Sequence, residues 1–150
     1  MRLVFKCGQS PLPLPPGWRE TVPAGFVIRR LDRPLAEQLQ ADLVAHGNSP
    51  WFDRIWGGVD NFLNDGFGFV AIGPEGIASN CRASSVTNGV AEIQVSTRSH
   101  GRRQGLATLV CRAFVEHCLI VGLTPAYACD EDNLASIGLA KKLGFVCESQ

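Results

Sequence analysis

Two adjacent arginines and a glycine stand where a strand-like run gives way to a helix-like one. Arg102-Arg103-Gln104-Gly105-Leu106-Ala107 joins Val90 to Thr97 to Leu106 to Val121, whose apolar residues recur at helical spacing. A strand, a basic glycine turn and a helix start make an anion site. The first N–H groups of a helix lack intrahelical acceptors and carry the positive end of its dipole, so a phosphate there is both hydrogen-bonded and electrostatically favoured. Gly105 lets the backbone come close. Arg102 and Arg103 add full charges, and their planar forks suit a diphosphate better than a lysine ammonium does.

The elements that must position this turn are legible on both sides of it. Upstream, the pattern predicts a strand over Phe26 to Leu31, then a helix capped by Asp32 with Pro34 in its first turn, running to about His46. One aromatic helix follows, from Trp51 to Leu63, ended by Asn64-Asp65-Gly66. Strands over Phe67 to Ile72, Ile77 to Thr87 and Val90 to Thr97 are joined by turns at Gly73-Pro74-Glu75-Gly76 and Asn88-Gly89, giving an antiparallel meander. The helix after the arginines turns Leu106, Val110, Ala113, Phe114, Cys118 and Val121 to the core and Thr108, Arg112 and Glu116 to solvent. A strand over Pro125 to Cys129, a helix over Leu134 to Leu143 and a strand from Phe145 complete the chain. The right-handed crossover makes Val95 and Ala128 neighbours on parallel strands. The fold class is therefore α/β in the mixed α+β sense, a central, mostly antiparallel mixed sheet flanked by about four helices. Residues 1–24 read as a short strand, Leu3-Val4-Phe5, and an extended proline-rich connector, leading into one domain over residues 25–150.

Composition removes several function classes. A chain of 150 residues with 45% hydrophobic and 19% charged residues is the size of one ordinary globular domain. Lys+Arg 14 balances Asp+Glu 14, which argues against a nucleic-acid partner, because such binding rests on a basic surface that neutralises phosphates. The six cysteines include no C-x-x-C and no histidine at a zinc-ligand spacing, so no metal is expected and the thiols read as reduced core residues of a cytoplasmic protein. The apolar stretch at the N-terminus is too short for a signal peptide, and no run reaches membrane-spanning length, so no membrane partner is expected. His46, His100 and His117 read as surface residues.

The Arg-x-x-Gly-x-Ala of Arg102 to Ala107 resembles the pyrophosphate-binding signature of the GNAT N-acetyltransferases. A second match follows in the right order: Asn133-Leu134-Ala135-Ser136-Ile137, then Lys141-Lys142-Leu143-Gly144-Phe145. Ala91-Glu92-Ile93, Thr97, Gly105 to Thr108 and Gly122 to Pro125 are similar to one branch of that superfamily. The resemblance covers residues 25–147. It implies that the two parallel strands splay apart and that the pantetheine arm of acetyl-CoA inserts between them. By position, Val95, Ser96 and Thr97 would offer backbone groups to that arm. Arg102, Arg103, Gln104, Gly105, Leu106, Ala107 and Thr108 would hold the pyrophosphate, and Asn133 the pantetheine amide, with Ser136 and Lys142 nearby. The acceptor would be an amine on a small molecule or peptide, taken up beside the aromatic segment 48–66.

Transfer to an amine requires loss of a proton from an alkylammonium, which is almost wholly protonated at neutral pH. Glu92 is the candidate base, although a slip of one residue would put it on the other sheet face. Two departures from the family pattern stand out. The tyrosine that many members carry in the last helix corresponds to Ala140, which leaves a catalytically silent acyl-CoA-binding module as the alternative reading. The strand that normally follows residue 150 has no counterpart, so either Leu3 to Cys7 takes its place, or a second copy of the chain does, as a homodimer, or the acceptor site stays open; an unpaired edge would invite aggregation, which favours the first two.

Overall fold

The structure, a computed structural model, describes residues 2–7, 14–102 and 104–148. In chain order its elements are β1 (Arg2–Cys7), β2 (Val27–Arg30), α1 (Arg33–Ala45), α2 (Trp51–Trp56), α3 (Val59–Asp65), β3 (Gly68–Gly73), β4 (Gly76–Thr87), β5 (Val90–Thr97), α4 (Leu106–Val121), β6 (Thr124–Asp130), α5 (Leu134–Lys142) and β7 (Phe145–Glu148). Seven strands form one sheet in the order β2-β3-β4-β5-β6-β1-β7. All neighbours are antiparallel except β5 and β6.

Local chemistry explains most of these boundaries. Asp32 caps α1, its Oδ1 accepting from Leu35 N at 3.0 Å, with Pro34 in the first turn. Asn88 (φ 54) and Gly89 (φ 78) both adopt the left-handed conformation that a two-residue hairpin turn between β4 and β5 requires. The single aromatic helix expected over Trp51 to Leu63 is instead two helices, α2 and α3, which gives five in all among the described residues. Gly57 (φ 76) and Gly58 (φ 134) cannot continue a right-handed helix. The break lets Phe52, Phe62 and Trp56 fold in on one another, with ring centroids 4.7 Å apart for Phe52 and Phe62 and 5.7 Å for Trp56 and Phe62.

Cross-strand register separates the two faces of the sheet. Val70, Asn80 and Ser96 lie opposite one another and face α1, α2 and α3, where Val70 joins Leu39, Phe52 and Phe62 in a core. Phe69, Cys81 and Val95 face α4 and the larger core around Phe114, Val110 and Phe67. α4 is buried more evenly than its periodicity implied. Thr108 is inside, together with Leu109, Cys111 and Val115, whereas Val121 is 51% exposed. The reason is the N-terminal segment: Trp18 is buried against α4, its Nε1 donates to Glu116 at 3.3 Å, and Arg19 pairs with the same carboxylate at 2.6 Å. The expected connector is thus packed down over part of its length and contains a 3-10 turn, Trp18–Thr21; residues 8–13 lie outside the described residues. His117 is not a plain surface residue either, since its ring lies 4.4 Å from that of Phe67.

β1 takes the place anticipated for a further strand. It pairs with β6 from Arg2 opposite Asp130 to Lys6 opposite Ala126, and on its other side with β7. No helix among the described residues is long and apolar enough to cross a membrane. Cys81, Cys111, Cys118, Cys129 and Cys147 are free thiols, the first four of them buried.

Candidate active site

The parallel ladder runs from Val90 opposite Thr124 to Ile93 opposite Tyr127 and ends there, while both strands continue, β5 to Thr97 and β6 to Asp130. Beyond Ile93 the strands diverge. The divergence coincides with a β-bulge on the far side of β5, where Ala83 pairs with Ile93 and Ser85 with Glu92, leaving Ser84 as the extra residue. A bulge raises the local twist, which turns β5 away from its other neighbour. Two side chains hold the bulge in place: Ser84 Oγ donates to the Glu92 carbonyl at 3.3 Å, and Trp56 Nε1 to the Ala83 carbonyl at 2.9 Å. The resulting cleft of about 220 Å³ has Gln94 and Val95 on one wall, Ala128 to Asp130 on the other, and Asn133 and Ser136 of α5 above.

One end of the opening belongs to the arginine turn. Arg98 to Arg102 form a short 3-10 turn pressed against β4, and a Cβ on Gly101 would come within 2.8 Å of Ala78. Gly105 (φ 72) starts α4 with no side-chain cap, so the first-turn amides lack intrahelical acceptors. A Cβ at Gly105 would meet nothing within 4 Å. The glycine is therefore required by backbone conformation and not by crowding. Arg102 is exposed, Gln104 donates to the His100 carbonyl at 3.2 Å, and Leu106 and Thr108 are turned into the core, which leaves only their backbone groups for a ligand. Arg103 lies outside the described residues.

Of the strand residues expected to serve the site, Val95 lines the cleft, while the hydroxyls of Ser96 and Thr97 are engaged by β4. Asn80 Nδ2 donates to Ser96 Oγ at 3.0 Å, and Ser79 and Thr97 hydroxyls lie 2.8 Å apart. Asn133 caps α5, its Oδ1 accepting from Ser136 N at 3.2 Å, and its amide still carries two N–H donors. Lys142 sits at the other end of α5, exposed and away from the cleft lining.

The structure settles which way Glu92 faces. β5 is regular through the bulge, so Glu92 shares the side of Gln94, and Gln94 lies opposite Arg82, whose guanidinium stacks 4.4 Å above the Trp51 ring of α2. Glu92 thus faces away from α4, on the α1 to α3 side. There it meets Arg2 of β1 at 3.3 Å, a pair that reaches across β6 where Ala126 and Ala128 leave room. Both partners are well exposed, so the contact contributes little to stability.

Two further groups stand at this site: Arg82, which the sequence pattern does not single out, and Tyr127, the only tyrosine, which by motif cannot take the role of the last-helix tyrosine because it lies on the strand before that helix. Arg82 is buried with Asn80 Oδ1 as acceptor at 2.6 Å and no acidic partner among the described residues; burial, and then the nearby Arg98 charge, lower its pKa to about 10. Tyr127 stands at the floor of the cleft with its hydroxyl buried, and burial pushes its pKa up to about 12. Ser136 lies near enough to offset part of that rise, but not in hydrogen-bonding geometry. A lone arginine in the run Ile77 to Ala83 is the available signal for the first, and being the only tyrosine of the chain is the signal for the second.

The geometry has counterparts among known proteins. A family model described as GNAT acetyltransferase matches residues 16–150. The chain is 32% identical over 136 residues to YdfB, an uncharacterized N-acetyltransferase of Bacillus subtilis, covering 87% of this chain and 49% of the relative, so it spans about half the relative's length. Among solved structures, a GCN5-related N-acetyltransferase-like protein from Streptococcus suis superposes with a TM-score of 0.74 at 25% identity, over 99% of this chain and 59% of that one. A putative GNAT acetyltransferase from Novosphingobium aromaticivorans gives 0.72 at 18% identity, over 99% and 60%, a likeness of fold.

Proposed function

The chain belongs to the GNAT acetyltransferase family, and we propose that it transfers the acetyl group of acetyl-CoA directly to a primary amine. The observation that carries this reading is the unpaired pair of strand ends beyond Ile93 and Tyr127, set beside the uncapped start of α4. An extended, amide-bearing arm finds open backbone edges in the cleft, and a diphosphate finds free N–H groups with Arg102 beside them. In this reading Arg102, Arg103 and the backbone of Gln104 to Thr108 hold the pyrophosphate, Val95 to Thr97 bond the arm through their main chain, and Asn133 donates to a pantetheine amide.

The amine comes from the Glu92 side. Gln94, Asp130 and Glu92 make that approach polar and acidic, which suits an ammonium. Glu92, directly or through water, takes the proton that the ammonium must lose before its lone pair can attack the thioester. Arg2 holds the carboxylate in place and must yield to the incoming cation.

Two assays together test the proposal. Acetyl-CoA should raise the melting temperature saturably, and thiol release should follow addition of an amine from a panel of small polyamines, amino sugars and lysine peptides. Glu92→Gln should leave acetyl-CoA binding intact and lower kcat by roughly a hundredfold or more. No thermal response to any acyl-CoA would sink the reading. Binding without turnover by any amine would favour the silent module that Ala140, buried where many relatives carry tyrosine, keeps open.

A further inference from the structure

A buried phenol with no hydrogen-bond partner is an unusual choice for a core position, because phenylalanine would fill the same space without an unsatisfied oxygen. Tyr127 is such a residue. Its ring is fixed by Phe5 of β1, edge-on at 6.3 Å, and by Phe145 of β7 at 6.0 Å, and neither contact involves the hydroxyl. It forms the last rung of the parallel ladder opposite Ile93, at the floor of the cleft, and shares the α4 side of the sheet with Ile93 and Val95. On α5 above it, Ala140 is wholly buried in the same core and supplies only a methyl group, while Ser136 approaches without bonding.

The floor is where the reactive end of an extended ligand arrives when its diphosphate is held at the start of α4 and its arm runs down between β5 and β6. We infer that Tyr127 is a catalytic residue, whose hydroxyl donates a hydrogen bond to the sulfur of coenzyme A as the thioester bond breaks. This inference rests on the acetyl transfer proposed above. The amine nitrogen forms its bond to the acetyl carbon and loses a proton to Glu92 or water. As the tetrahedral intermediate collapses, the carbon–sulfur pair goes to sulfur, which leaves as a thiolate and takes its proton from solvent. Tyr127 keeps its own proton throughout. Its pKa of about 12 makes it a weaker acid than the leaving alkyl thiol, so it stabilises the sulfur charge without neutralising it. The role differs from that of an acid that gives its proton away: no activity loss between pH 7 and 10 is traceable to this group.

Tyr127→Phe retains both ring contacts and removes only the oxygen. It should bind acetyl-CoA with unchanged affinity and lower kcat roughly ten- to hundredfold. The chain contains one tyrosine, so biosynthetic replacement by a fluorinated tyrosine alters this position alone. A more acidic phenol is a stronger donor, and kcat should rise at pH 7 with binding unchanged, which a packing role would not produce. Wild-type protein that turns over an amine no faster than Tyr127→Phe overturns this inference alone, as does a fluorinated protein whose kcat is unmoved. Wild-type protein that binds acetyl-CoA and acetylates no amine overturns the proposed function and this inference with it.

Discussion

Two helices begin beside the same cleft and treat their first N–H groups differently. α5 spends one of them on Asn133 Oδ1, a side-chain cap. α4 begins at a left-handed glycine and caps nothing. The difference follows from what else holds each helix. α4 buries nine of its sixteen residues between the sheet and the N-terminal segment, so tertiary packing replaces the cap. α5 buries only Ala140, and its start is correspondingly dependent on local chemistry. Because α4 is anchored elsewhere, its first amides are left without a side-chain acceptor. In the proposed reading, the helix that can spare a cap is the one that binds the diphosphate.

The largest expected effect breaks the α4 side of this comparison. Gly105→Val places a β-branched residue at φ 72, a conformation costing about 1–2 kcal/mol for an L-residue. The turn should relax and withdraw the amides. Acetyl-CoA affinity by calorimetry should fall at least tenfold, or about 1.4 kcal/mol, while Gly105→Asn, which tolerates the left-handed region, should lose much less. Equal losses in the two variants would show that the side chain itself, and not the backbone conformation, disturbs the site.

Next in size is the cap on α5. Asn133→Ala should cost about 1 kcal/mol of stability, read as a fall in melting temperature of roughly 2–4 °C for a domain of this size. Asn133→Asp keeps the capping oxygen and loses the amide donors. It should melt like wild type and bind acetyl-CoA more weakly, separating the cap from the proposed ligand contact. Smaller again is Arg102→Ala, an exposed site where affinity should drop a few-fold at low salt, with the loss shrinking as salt rises.

How much of this could be seen beforehand depended on the range of the physics involved. Local signals carried the hairpin at Asn88-Gly89, the Asp32 cap and the arginine turn, because each is decided within four residues. The gap between α2 and α3 is masked although Gly57-Gly58 sits in the sequence, since the aromatic period runs across it. The face of Glu92 depended on whether a bulge fell in β5 or in β4, which strand patterning does not reveal. Arg82 is hidden for a related reason, and Tyr127 is passed over by motif: a buried guanidinium with no acidic partner among the described residues and an unsatisfied hydroxyl become conspicuous only once their neighbours are known. For the place of β1 the sequence offers three alternatives, because strand order is set by contacts more than a hundred residues apart.

The smallest effect concerns the anchoring that lets α4 do without a cap. His117 lies in its C-terminal half, with its ring against Phe67, and its pKa is lowered by partial burial and by the Arg30 charge. A histidine whose folded pKa lies below its unfolded value of about 6.5 binds fewer protons when folded, so stability rises with pH through that window. The contribution is complete above the unfolded pKa and is lost as pH falls through the folded one. Melting temperature should therefore decline between pH 7 and pH 5, and in His117→Phe, which keeps a ring against Phe67, part of that decline should disappear. Amide exchange would locate the effect: the second half of α4 should lose protection at pH 5 in wild type and retain it in the variant, whereas α5, which has no such residue, should respond alike in both. If the two helices lose protection together, α4 is not anchored independently of its neighbour, and the contrast between the two helix starts reflects sequence alone.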